Sequence, residues 1–232
     1  MSVRTTFDME LSSLHEMLKT MSIQVETAIN TMFDSLKDGG DTRIAASIVK
    51  NDRFINDMQR SIESKCLSII TRQQPLAGDL RMISAILKVV TDMERIGDHA
   101  ADIAELVIRM RKQMDVQNIT LQDAVFEKLL SQLYEMMNTT SGMVHDSIDS
   151  LINRNSELAS QIDVRDDEVD NQFNDIKNQA VELIRSDVEH TDMYVDFLLL
   201  AKYLERMADH AVNISEWELF QETGSIHDVR IL

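Results

Sequence analysis

Two short segments decide the fold of this chain: residues 94–100 read ERIGDHA, and residues 205–211 read ERMADHA. The segments are identical at five of seven positions and lie 205 − 94 = 111 residues apart. Earlier in each half, residues 14–17 (LHEM) are echoed by residues 133–136 (LYEM), which lie 133 − 14 = 119 residues apart. Matching motifs at matching places predict an internal duplication of one structural unit. We expect shorter loops in the second half to absorb the difference of eight residues between the two offsets.

Apolar residues recur at helical spacing through each half. In the first half they fall at steps of three and four over residues 7–36, 44–69 and 80–108, which is typical of amphipathic helices. The stripes are separated by the Asp-Gly-Gly-Asp segment 38–41 and by Pro75, both of which interrupt helices. Each half is therefore predicted to contain three long helices joined by short loops, and short loops make neighbouring helices antiparallel.

The predicted fold is all-α, with six long helices in two tandem three-helix bundles that are related by internal duplication. Residues 1–111 form the first bundle, and residues 124–232 form the second. The polar stretch 112–123 between them is interpreted as a linker. We expect the two bundles to pack side by side.

Composition and charge exclude several classes of function. The chain has 40 acidic and 23 basic side chains, and its formal charge of −17 opposes binding to nucleic acid or to anionic lipid. The longest apolar stretches are interrupted by charges such as Lys88, so none reaches the roughly 20 residues that span a membrane. Cys66 is the only cysteine and no export signal begins the sequence, so we predict a cytoplasmic protein without disulfides.

Carboxylates interrupt the apolar stripes of the second and third helix in each half. Burying an unpaired carboxylate is costly, so acids on an apolar stripe indicate a function. Pairs four residues apart stack on one side of a helix and can direct their oxygens to one cation. The candidate ligands are Asp52, Glu94 and Asp98 in the first half, and Asp166, Asp170, Glu205 and Asp209 in the second.

The acids of each half fall at nearly the same height in their antiparallel bundle, which predicts two carboxylate clusters, one per bundle. Sites built only from oxygen suit hard or borderline cations, so the expected cofactors are metal ions such as Fe, Zn, Mn or Mg. In the first helices, Glu26 and Asn30, and their counterparts His145 and Asp149, lie at a similar height but flank the apolar stripe.

An alternative to metal binding is ion pairing of these acids with Arg95, Arg206 or Lys88, or hydration at the wet edge of the stripe. His99 and His210 follow the aspartate of each motif and are rotated away from the acidic face. Because of that rotation, we expect the two histidines to take part in helix packing or to lie at the surface rather than to join the clusters.

The segment 92–100, Asp-Met-Glu-Arg-Ile-Gly-Asp-His-Ala, resembles the signature of the PhoU family of phosphate-signalling regulators. The segment 72–81, Arg-Gln-Gln-Pro-Leu-Ala-Gly-Asp-Leu-Arg, is similar to that family's loop into its third helix. The resemblance covers essentially the whole chain, including its length and its duplication. It implies a cytoplasmic, two-bundle protein, often a homodimer, that binds metal clusters through E/D-x-x-x-D motifs.

The resemblance further implies a negative regulator of phosphate uptake that links the Pst phosphate ABC transporter to a sensor histidine kinase and is not an enzyme. All seven candidate ligands match the family's acidic positions. Asn30 and Asn56 stand where a stronger site would have acids, so we expect the first cluster to bind fewer or weaker ions.

Two alternatives to this regulator stay open at the level of sequence, namely a di-metal carboxylate enzyme built on a helical bundle and a metal-free helical adaptor. Di-metal bundle enzymes use Glu-x-x-His pairs, and no histidine in this sequence has a glutamate three residues before it. The adaptor differs from the regulator only in the absence of metal at the clusters.

Overall fold

The computed structural model describes residues 3–37, 40–117, 124–226 and 229–230. A two-stranded antiparallel ribbon, in which Ser225 lies opposite Arg230, follows the last helix. The elements in chain order are α1 (Val3–Leu36), α2 (Thr42–Gln73), α3 (Ala77–Gln117), α4 (Ala124–Asn153), α5 (Ser156–Ala159), α6 (Ile162–Ser186), α7 (Thr191–Thr223), β1 (Ser225–Ile226) and β2 (Val229–Arg230).

The helices begin and end where the local sequence favours a boundary. The Asp41 carboxylate caps α2 by accepting hydrogen bonds from the backbone N–H groups of Arg43 (2.8 Å) and Ile44 (3.3 Å). Gln74 takes a left-handed conformation at the end of α2, directly before Pro75. Gly224 ends α7 with φ +74, a conformation that glycine adopts without steric cost.

Helices α1, α2 and α3 form one bundle, and α4, α6 and α7 form the other. Lys65 near the end of α2 lies 3.7 Å from Glu10 near the start of α1, as antiparallel neighbours require. The bundles pack side by side because α3 contacts α7 and α1 contacts α4, and one apolar core runs through both halves. The predicted all-α fold of two three-helix bundles is confirmed. Nowhere in the described ranges does a helix combine the length and apolarity that a membrane crossing needs.

Two details of the predicted organisation are wrong. Helix α3 continues to Gln117, so residues 112–117 are helical rather than linker, while residues 118–123 lie outside the described part of the chain. Arg111 pairs with Asp115 at 3.1 Å and Met114 is buried, so this mostly polar segment still forms a helix that buries one apolar side chain. The second half is shortened in its helices rather than in its loops: α6 has 25 residues against 32 in α2, and the extra helix α5 lies between α4 and α6.

Candidate metal centres

In the first bundle, Asp52 on α2 lies in the same partly buried region as Glu94 and Asp98 on α3. Burial raises the pKa of Asp52, and the negative charge of Asp98 raises it further. The pKa of Glu94 is also raised, first by burial and then by the charges of Asp98 and Asp52. These effects place the three carboxylates close enough for their charges to repel one another at the α2–α3 contact.

One oxygen of Asp52 has no partner. Its Oδ2 accepts a hydrogen bond of 2.9 Å from Nδ2 of Asn56, whereas its Oδ1 is buried and has no hydrogen-bond donor. A buried acceptor without a donor costs about 1–3 kcal/mol. A cation next to Oδ1 would remove this cost. The oxygen donors of the first bundle are therefore chemically suited to a metal ion that prefers oxygen ligands.

Arg95 offers a competing cation on the same helix. Its Nη1 lies 3.0 Å from Oδ2 of Asp98, and its Nε lies 3.6 Å from Oε2 of Glu94. The Arg95 side chain is 54% exposed, so these pairs are surface ion pairs of small net energy. Ion pairing, which the sequence left as the alternative to metal binding, is therefore present in the first bundle.

The second bundle brings Asp166 and Asp170 on α6 together with Glu205 and Asp209 on α7. Burial raises the pKa of Asp166 to about 6, with further contributions from the charges of Asp209 and Asp170. Burial also raises the pKa of Asp209, and the charge of Glu205 adds to the effect. The ammonium of Lys202, one turn before Glu205, forms an ion pair with Glu205.

Local ion pairs occupy three of the candidate ligands: Glu94 and Asp98 pair with Arg95, and Glu205 pairs with Lys202. Across residues 3–37, 40–117 and 124–226, no three side chains of the His, Cys, Asp or Glu types already stand so that they could hold a metal ion. Metal binding would therefore require rotation of the carboxylates away from Arg95 and Lys202.

Other acids belong to these regions although the sequence did not single them out. Asp102 raises the pKa of Asp52, and Glu63 raises that of Glu94. In the second bundle, Asp163 and Asp167 contribute in the same way to Asp166. Asp102 continues the four-residue spacing of 94 and 98, a signal that the sequence contains; the Glu63 contribution depends on how α2 packs against α3.

The first-helix residues join neither cluster. Glu26 on α1 instead lies against His145 on α4, with 2.8 Å between Oε1 and Nδ1, so the pair bridges the two bundles. Asp149 accepts a hydrogen bond of 2.6 Å from Nδ2 of Asn153 on its own helix. Glu26 and His145 thus form a contact between α1 and α4 instead of joining the clusters.

His99 and His210 meet at the contact between α3 and α7. Their rings stack with 5.7 Å between centroids, and Nδ1 of His210 lies 2.8 Å from Oδ1 of Asp92. The ring of His99 also lies 5.5 Å from that of Tyr203. Of the two roles predicted for the histidines, helix packing or exposure at the surface, the structure shows helix packing, and equivalent positions of the two repeats face each other across the interface.

The fold and these clusters define a class of protein: a duplicated helical-bundle protein with one partly buried carboxylate cluster in each repeat. A family model described as the PhoU domain matches residues 18–107 and 133–217, one match in each bundle. The chain belongs to the PhoU domain family.

Similar proteins match over nearly the full chain. A "Phosphate-specific transport system accessory protein PhoU homolog" from Clostridium acetobutylicum is 33% identical over 227 residues, which cover 97% of this chain and 98% of that protein. A homolog of the same description from Thermotoga maritima is 30% identical over 218 residues, covering 94% of this chain and 89% of the relative. The crystal structure of PhoU from Pseudomonas aeruginosa, 27% identical, has a TM-score of 0.85 and covers 94% of this chain and 100% of its own.

Proposed function

We propose that this chain is a negative regulator of phosphate uptake and of phosphate-responsive signalling. The observation that carries the proposal is the nearly full-length similarity to proteins named phosphate-specific transport system accessory proteins. The solved phosphate transport system regulatory protein PhoU from Streptococcus pneumoniae, 26% identical with a TM-score of 0.84, is similar over 96% of this chain and 100% of its own. A shared fold over the whole length supports a shared role.

In this proposal the protein is a cytoplasmic homodimer and not an enzyme. It acts as an adaptor between a phosphate ABC transporter and a sensor histidine kinase. The formal charge of −17 favours partner surfaces that are basic.

We further propose that the carboxylate clusters hold metal ions, of which Fe, Zn, Mn and Mg are the candidates. The support is chemical: both clusters consist of oxygen donors, their carboxylates repel one another, and Oδ1 of Asp52 is buried without a donor. When bound, an ion would neutralise this repulsion and brace α2 against α3, and α6 against α7. Each cluster has a competing cation, Arg95 in the first and Lys202 in the second, but Asn56 takes the place of an acid in the first cluster, so we expect the second to bind more tightly.

Deletion of the gene tests the regulatory function. In phosphate-rich medium the deletion strain should express its phosphate-uptake genes at the level of starved cells, and a plasmid copy of the wild-type gene should restore repression. Unchanged expression in the deletion strain would refute the proposed function.

Elemental analysis tests the metal clusters separately. After mild dialysis we expect the wild-type protein to retain metal, with loss from one bundle in Glu94→Ala and from the other in Glu205→Ala. Glu182→Ala, which removes an exposed acid on α6, is the matched control. Normal repression by a protein without metal would favour the metal-free adaptor, a possibility to which the Arg95 ion pairs lend support. Steady oxidase turnover by iron-loaded protein would favour the enzyme instead.

A further inference from the structure

An open cavity of about 440 Å³ lies at the end of the molecule where the two bundles meet. Its wall comes from the start of α3, from the connection between α4 and α5, and from the end of α7. None of the seven candidate metal ligands lines it. Its charged and contacting side chains are Asp79, Met82, Arg154, Glu218, Gln221 and Glu222.

Glu218 is the unusual member of this wall. Its residue is only 3% exposed although it carries a carboxylate, and Oε2 accepts one hydrogen bond of 2.8 Å, from Nε2 of Gln221. Within the described residues, no lysine, arginine or histidine lies within ion-pair distance of Glu218. Buried carboxylates are normally matched by a cation, so this side chain lacks the partner that its position calls for.

The remaining charges around the cavity leave it net negative. Asp79 on α3 and Glu222 on α7 add acidic groups to Glu218, while Arg154 is the one basic side chain of the lining. The Nη2 of Arg154 contacts Sδ of Met82 at 3.0 Å rather than a carboxylate. Burial lowers the pKa of His15 on α1 and so favours the neutral form of that imidazole, and the charge of Arg154, which also reaches it, adds to this effect.

We propose that this cavity receives the basic side chain, guanidinium or ammonium, of a docking protein partner. The inference rests on the function proposed above, because it supplies that adaptor with a point of attachment. A cavity of this size admits one long side chain, and its acidic wall complements a positive group. A charge-assisted bond to Glu218 would satisfy the buried carboxylate, and a desolvated pair of this kind is typical of the energetic centre of an interface.

The acid–base behaviour of the site supports the same ligand. The pKa of Glu218 is raised to about 7, chiefly by burial. The positive charge of Arg154 lowers this pKa in part, and the negative charge of Glu222 raises it further. A cationic ligand favours the ionised carboxylate, so its affinity should rise as the pH increases from 6 to 8.

The test uses N-acetyl-arginine amide as a probe, because it carries one guanidinium and no carboxylate. Binding to the full chain is followed in physiological salt by the fluorescence of Trp217, the only tryptophan and the neighbour of Glu218, and by the NMR signals of the Gln221 side-chain amide. We expect saturable binding that strengthens with pH, and no binding of the neutral probe N-acetyl-glutamine amide. Physiological salt suppresses general attraction to the acidic chain.

Three variants separate the cavity from bulk charge. Glu218→Gln keeps the shape of the side chain and should weaken the arginine probe by about tenfold or more, since hydrogen bonds to charged groups contribute about 1.5–3 kcal/mol. Arg154→Gln should strengthen binding, because it removes a like charge from the wall. Glu182→Gln removes one acid far along α6 and should leave binding unchanged. Circular dichroism confirms that each variant is folded.

Several outcomes would overturn the inference: no saturable binding, equal affinity in wild type and Glu218→Gln, or equal weakening by Glu182→Gln. Binding of spermidine alone would assign the cavity to a small polyamine rather than to a protein side chain. In cells, Glu218→Gln should lose repression while Glu182→Gln keeps it. The probe measurements do not depend on phosphate regulation, so a failed deletion test and a failed binding test are distinguishable.

Discussion

Replacing Glu218 by glutamine should stabilise the folded chain above neutral pH and have a much smaller effect in mild acid. In the folded chain the pKa of this buried carboxyl is raised from 4.5 to about 7. A difference of this size corresponds to roughly 3 kcal/mol, at about 1.4 kcal/mol for each pH unit. Because the cavity beside Glu218 is open to water, we expect a gain of about 2–3 kcal/mol at pH 8.

The sign follows from proton linkage. A carboxyl with a raised folded-state pKa holds its proton more tightly in the folded chain than in the unfolded chain. Its favourable contribution to folding is therefore complete below pH 4.5 and is lost as the pH rises through 7. Glutamine cannot ionise, so the variant escapes this loss at pH 8, and its advantage should shrink to about 1 kcal/mol or less at pH 5.

Urea unfolding followed by circular dichroism at pH 5 and pH 8 measures this difference. At pH 8 the gain corresponds to a rise of roughly 5–10 °C in the melting temperature of a chain of this size. Glu182→Gln, an exposed acid on α6, is the control and should stay within about 0.5 kcal/mol of wild type at both values. A stability difference that is the same at pH 5 and pH 8, or a less stable variant at pH 8, would refute the reasoning.

Three further predictions concern helix contacts and the clusters. Gly97→Ala should lower the free energy of unfolding by about 1–2 kcal/mol, because an added Cβ would lie 2.8 Å from Cδ1 of Ile55. Urea unfolding measures this loss. The control Gly142→Ala should lose less, because its Cβ would meet only the movable end of the Arg165 side chain. Arg109→Ala should cost about 2–4 kcal/mol at pH 7 by leaving Asp196, which is 2% exposed, without its cation; a loss below 1 kcal/mol in the same assay would contradict this role. Stripping metal with a chelator should lower the melting temperature and readdition of Mn²⁺ should restore it, whereas identical melting curves would argue against structural metal.

Some features of the candidate sites follow from spacing along one helix, whereas others depend on how the helices pack. The acids on the apolar stripes could be found from sequence, because helical periodicity places residues 94 and 98 on one side of α3 whatever surrounds the helix. Their placement near the height of Asp52 was predicted from antiparallel helices of known length, and the charge effects on the pKa values of Asp52 and Glu94 agree with that proximity. The contribution of Glu63 could not be found in this way, because it depends on the rotation of α2 about its own axis.

The sequence by itself determined the duplication, the six long helices and the acidic positions, since all of these follow from residue spacing along one helix or between two repeats. Tertiary structure decided which side chains meet between bundles: Glu26 with His145, Arg109 with Asp196, and the walls of the cavity at Glu218. These contacts depend on the relative rotation and height of α3 against α7 and of α1 against α4. Packing of many side chains together selects that arrangement, and no single stripe of apolar residues encodes it.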